Sequence, residues 1–183
     1  MSVTTAAKAR VATAWLDGCS GCHMSLLDID EALAVLAGRI ELVFSPLVDA
    51  QEFPENVDVA LVEGAVSSQD DLKLLQTIRQ RTKFLVALGD CAVTGNVPAM
   101  RNNIPVKKLL ESIYIQGVTT APGVPKDGVP ALLRHASPLH ESVRVDLHVP
   151  GCPPKSDAIA FVLKELLDGH KKMCIRDRCW AAR

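Results

Sequence analysis

VATAWLDGCSGCHMSLLDID, residues 11–30, runs from an apolar stretch through a glycine-rich turn with two cysteines into a helical repeat. Val11–Leu16 reads as a strand, its apolar character that of a strand buried on both faces. Asp17-Gly18-Cys19-Ser20-Gly21-Cys22 is the turn. Beyond it Leu26, Ile29, Leu33 and Leu36 recur at helical spacing, which predicts a helix over about 24–37 stopped by Gly38. A strand turning directly into a helix is the opening of a βαβ unit, from which parallel sheets are built.

The rest of the chain continues that alternation. Strands are expected at 41–48, 57–62, 84–88 and 143–149. Helices are expected near 70–81, capped by Ser67 or Ser68, and at 157–167 with Ile159, Val162, Leu163 and Leu166 on one face. A short helix follows Cys91. The proline-rich stretch 98–140 reads as loop with one short helix near Val106–Ile113. The fold class is therefore α/β, with a doubly wound parallel sheet in flavodoxin-like strand order. One domain spans residues 8–170, with no internal repeat and no dividing linker.

Four cysteines fall at three strand ends in this scheme: Cys19 and Cys22, Cys91 in Gly89-Asp90-Cys91, and Cys152 in Pro150-Gly151-Cys152-Pro153-Pro154. Doubly wound sheets bind ligands beyond the carboxyl ends of their strands, so three loops deliver thiols to one edge. Gly18, Gly21, Gly89 and Gly151 allow tight turns and close backbone approach. Four thiolates around one point can hold a zinc ion or an iron–sulfur cluster; four unrelated buried thiols are the bland alternative. Structural zinc usually draws on paired C-x-x-C knuckles, and only one such pair is present.

Composition narrows the class. The 183 residues suffice for one well-buried domain. A net charge of −1 gives no electrostatic case for binding nucleic acid or anionic membrane. The start MSVTTAAKAR has no apolar signal region, and no apolar run reaches the roughly 18 residues of a membrane span. A cytoplasmic location is expected, where six cysteines read as ligands or free thiols instead of a disulfide framework.

The segments LDGCSGCHMSLLDID (16–30), VEGAV (62–66), GDCAVTGNVPAMRN (89–102) and VPGCPPKSDAI (149–159) together resemble the small subunit of nickel–iron hydrogenases. The short cytoplasmic type found in NAD-reducing, bidirectional enzymes is the nearest likeness. The resemblance covers about residues 8–171. It implies a flavodoxin-like fold and one 4Fe–4S cluster held by Cys19, Cys22, Cys91 and Cys152. It also implies a separate large subunit carrying the nickel–iron centre, where hydrogen is split, and a flavin- and NAD-binding diaphorase module that receives the electrons. No catalytic residue is expected in this chain. Larger relatives carry an acid two places after the second cysteine, where Met24 stands here, so no role of that acid transfers. Two other readings compete. A complex-I-type small subunit usually has adjacent cysteines at the first motif. A cluster-free FMN module would need Ser/Thr-rich phosphate loops in place of cysteine and proline. An FMN bound beside the cluster has no support in the sequence.

Other residues carry weaker expectations. His23 is read as a partner of a cluster sulfur, as part of a subunit interface, or as a solvent-facing residue. Trp15 is read chiefly as a core aromatic, with packing over the first cysteine loop as the minor reading. Glu63 is placed on the functional edge, with facing the large subunit or a proton route as the minor reading. Arg101 and Asn102 are expected to organise the Cys91 turn, while His135, His140 and His148 stay unassigned. Residues 171–183, with Cys174 and Cys179, read as a tail of doubtful, non-native origin, with a second metal site as the minor reading, and no function is based on them.

Overall fold

The computed structural model describes residues 8–117 and 121–170. Its main sheet has five parallel strands: β1 (Ala9–Trp15), β2 (Ile40–Phe44), β3 (Val57–Glu63), β5 (Thr82–Leu88) and β7 (Leu147–Val149). They lie in the order β2-β1-β3-β5-β7, the flavodoxin-like order expected. Continuous apolar runs build the centre because helices cover both faces. One face packs Leu26, Ile29, Leu36, Ile159, Val162 and Leu163 against β-strand side chains such as Leu61 and Val86. The other packs Leu75, Ile78, Ala92 and Leu139 against Ala60, Val62, Leu85 and Ala87.

The helices are α1 (Gly21–Leu27), α2 (Glu31–Ala37), α3 (Gln69–Arg81), α4 (Asp90–Thr94), α5 (Asn96–Ala99), α6 (Val106–Tyr114) and α7 (Ser156–Leu167). Ser68 caps α3 as expected: its hydroxyl accepts from the Asp71 N–H at 3.1 Å, and the Asp71 carboxylate accepts from the Ser68 N–H at 2.8 Å. The helix predicted over 24–37 is two helices. It begins earlier, at Gly21, and breaks at Asp28–Asp30, where Asp30 has φ 54°. The apolar positions still reach the core from both pieces, which is why periodicity does not reveal the break.

Two strands lie outside the prediction. β4 (Val66–Ser68) and β6 (Leu132–Ser137) form an antiparallel pair, and β6 falls inside the stretch read as loop. Arg101 and Asn102 serve this pair instead of the Cys91 turn. Arg101 Nη2 donates to the carbonyls of Ser67 (3.0 Å) and Leu133 (3.1 Å), and Asn102 exchanges two 2.8 Å hydrogen bonds with the backbone of Ala136. The strand expected at 143–149 is shorter: Val143 and Val145 pack against the core from a turn, and pairing begins at 147.

Candidate metal centre

The three cysteine loops meet at the carboxyl edge of β1, β5 and β7. Cys22 lies in the first turn of α1 and Cys91 in that of α4. Cys19 and Cys152 are exposed, whereas Cys22 and Cys91 are half-buried. Burial pushes the Cys22 thiol up to about 12, with Glu63, Cys91, Cys19 and Cys152 adding in that order. Burial also raises Cys91, helped by Cys152 and Cys19, while a hydrogen bond from the Val97 N–H pulls the other way. Cys22 and Cys91 are thus each within electrostatic reach of the other three sulfurs. Among the described residues, no group of three or more His, Cys, Asp or Glu side chains is arranged to hold a single metal ion.

The backbone makes room for the sulfurs. Gly89 has φ 83° and ψ 163°, a conformation that is essentially glycine's alone, and a Cβ there would collide with Cys22 Sγ. Gly151, at φ 135°, would set a Cβ 2.6 Å from Pro154 Cα. This thiol-only donor set, with glycine where a side chain would collide with sulfur, fits a thiolate-held metal group.

Hydrogen bonds join the loops. Ser25 Oγ on α1 donates to the Pro154 carbonyl at 2.5 Å, and the Gly151 N–H donates to Asp90 Oδ1 at 2.7 Å. Sequence reasoning singles out neither Ser25 nor Asp90. The Asp beside a ligand in Gly-Asp-Cys is the available signal, since Asp commonly bonds nearby backbone in turns.

His23 and Glu63 are both buried, at 6% and 1% exposure, so neither faces a surface. Trp15 is 47% exposed, not a core residue, and its Nε1–H donates to the Gly18 carbonyl of the first cysteine loop. His140 and His148 stack edge to face at 5.8 Å. His135 lines a shallow groove with Ile104 and Arg134. Cys174 and Cys179 lie outside the described residues.

A flavodoxin-ordered sheet with four thiols at its carboxyl edge defines an α/β domain with a candidate thiolate metal site. Residues 19–166 match the family described as NADH ubiquinone oxidoreductase, 20 Kd subunit. The chain belongs to that family and, within it, is a small-subunit-like chain of the NAD-reducing hydrogenase type.

The chain is 40% identical to the NAD-reducing hydrogenase HoxS subunit delta of Cupriavidus necator, covering 89% of this chain and 80% of that protein. It is 38% identical to a hydrogenase subunit from Methanothermobacter marburgensis, covering 91% of this chain but only 56% of that protein. Among solved structures, it superposes with a TM-score of 0.86 on a chain of the NAD+-reducing NiFe-hydrogenase in its H2-reduced state. That match has 44% identity and covers 89% of this chain and 93% of the other. A chain of the NiFeSe hydrogenase of Desulfovibrio vulgaris Hildenborough, at 19% identity and a TM-score of 0.59, shares the fold. Among the described residues, no helix is long and apolar enough to cross a membrane.

Proposed function

We propose that this chain is the electron-transfer small subunit of a cytoplasmic nickel–iron hydrogenase. Residues 8–170 form the working domain, and Cys19, Cys22, Cys91 and Cys152 hold one 4Fe–4S cluster. Electrons pass between the nickel–iron centre of a large subunit and flavin- and NAD-binding partner subunits. The observation that carries this reading is the convergence of four thiols from three loops at one sheet edge. Structural zinc usually draws on two C-x-x-C knuckles, and the one such pair here favours a cluster over a lone zinc.

Such a cluster, when bound, takes up and releases one electron at a time. The protein's part is placement. The half-buried Cys22 and Cys91 anchor the inner side, and the exposed Cys19 and Cys152 bring the outer side to the surface, where a partner's redox centre can approach. The single C-x-x-C pair is committed to this site, leaving no second pair among the described residues for nickel. The isolated chain is therefore expected neither to consume nor to produce hydrogen.

Anaerobic reconstitution tests the assignment. About four irons and four sulfides per chain are expected. Cys91→Ser should lose or destabilise the cluster and Cys174→Ser should not. Stoichiometric zinc without sulfide would overturn the reading.

A further inference from the structure

Glu63 is the only buried carboxylate among the described residues. It ends β3 directly beneath the first cysteine loop. Its Oε2 accepts the backbone N–H of His23 at 2.7 Å and lies 2.6 Å from His23 Nδ1, which donates in the tautomer protonated there. The helix receiving this support has no cap of its own. Ser20, at its start, has φ 63° and its side chain caps nothing. The first turn of α1, which carries Cys22, is thus tied to the central sheet by a carboxylate 40 residues away in sequence. His23 Nε2 is buried with no hydrogen-bond partner, so the ring is held through Nδ1 alone. The other carboxylate oxygen faces Gly18, where a Cβ would lie 3.6 Å from it.

Building on the cluster reading above, we infer that Glu63 is a positioning residue of the thiolate site, with His23 as the lock that aims its carboxylate. Glu63 acts in two separable ways. The hydrogen bond to the His23 N–H fixes Cys22, and so governs how firmly the site keeps its metal. The negative charge beside the thiolates disfavours adding an electron to an already anionic group, and so holds its potential down.

The test uses the full chain, reconstituted anaerobically with iron and sulfide, as wild type, Glu63→Gln and Glu63→Ala. Gln keeps a carbonyl acceptor for the His23 N–H but removes the charge. Glu63→Gln is expected to hold wild-type iron and sulfide while its midpoint potential moves positive. Glu63→Ala is expected to lose iron to a chelator at least about tenfold faster than wild type. A merely structural Glu63 would lower the melting temperature of Glu63→Gln without moving the midpoint, and that result overturns the charge part. Wild-type iron release from Glu63→Ala overturns the hydrogen-bond part. If Glu63→Ala does not accumulate folded, the Gln midpoint and its iron release decide. A wild-type chain that takes up no iron and sulfide refutes the cluster reading itself, whereas a wild-type cluster indifferent to both variants refutes this inference alone.

Discussion

Asp90 and Gly151 hold each other by two hydrogen bonds: the Asp90 N–H donates to the Gly151 carbonyl at 2.9 Å, and the Gly151 N–H donates to Asp90 Oδ1 at 2.7 Å. Just before them, the Gly89 N–H donates to the Val149 carbonyl at 2.8 Å. The β5–β7 ladder therefore continues past the strand ends into the loops that carry Cys91 and Cys152. Asp90→Ala removes one of these bonds and leaves the Gly151 N–H unpaired, a cost of about 1–2 kcal/mol. The expected outcome is faster cluster loss to a chelator with a modest fall in melting temperature. Asp90→Asn, which retains an acceptor oxygen, should restore wild-type retention. Equal retention in Asp90→Ala and wild type would show that the two loops are held by other means.

Gly89→Ala probes the space beside Cys22. The backbone conformation there costs a non-glycine residue about 1–3 kcal/mol, and the added Cβ would collide with Cys22 Sγ. Both effects fall on a ligand, so iron and sulfide content should drop well below wild type even where the chain stays folded. Circular dichroism and iron analysis on one preparation separate the two. Full cluster occupancy in Gly89→Ala would mean that Cys22 has room to turn away.

The sequence signals that proved legible were those written in local chemistry. Leu85–Leu88 is apolar at every position because both its faces are covered. The cysteine loops are legible as a group because each follows an apolar strand and so falls at the same carboxyl edge of the sheet. Hidden features depend on contacts between distant residues or on a single dihedral. Leu132–Ser137 is a strand only because Val66–Ser68 and Asn102 supply its partners, and its own residues are largely exposed. Asp30 breaks a helix without disturbing the apolar spacing on either side. Glu63 reads as an edge residue because nothing local shows that His23 folds back to meet it.

Asp146 links pH to stability at the far end of the same strands. Its Oδ2 accepts from Arg79 Nη1 at 2.5 Å and from the Leu85 N–H at 2.8 Å. Burial works to raise its pKa, but those two hydrogen bonds and the Arg79 charge outweigh it and hold the carboxyl below the usual carboxylate range. A carboxyl with a depressed folded-state pKa contributes stability that is present above the unfolded value of about 3.9 and fades as pH falls through the folded value. Asp146→Ala should therefore cost about 1.5–3 kcal/mol at pH 7. The gap between wild-type and variant melting temperatures should narrow as pH drops below about 4. A gap that stays constant down to pH 3 would show that the Asp146 charge contributes nothing.

Val93, beside Cys91, is partly buried against the core, so a charge there would damage the fold itself. Val97 is the better probe. It is 61% exposed, and its backbone N–H donates to Cys91, which places it at the rim of the site. Trp15 at the end of β1 and Met24 on α1 are exposed apolar side chains, so large apolar side chains flank the first cysteine loop on both sides. An electron-transfer centre must lie close to its partner's redox centre, so this rim is where the proposed large subunit would cover the chain. A permanent interface of that kind buries on the order of 2,000 Å² or more and is relatively apolar. Val97→Asp should leave the melting temperature and cluster content of the isolated chain near wild type, because the side chain points to solvent. It should sharply reduce recovery of the large subunit when the two are co-expressed and this chain is purified. Trp15→Asp should do the same from the end of β1, with a small added cost for the lost bond to Gly18. Undiminished recovery of the large subunit with both variants would place the interface elsewhere on the molecule.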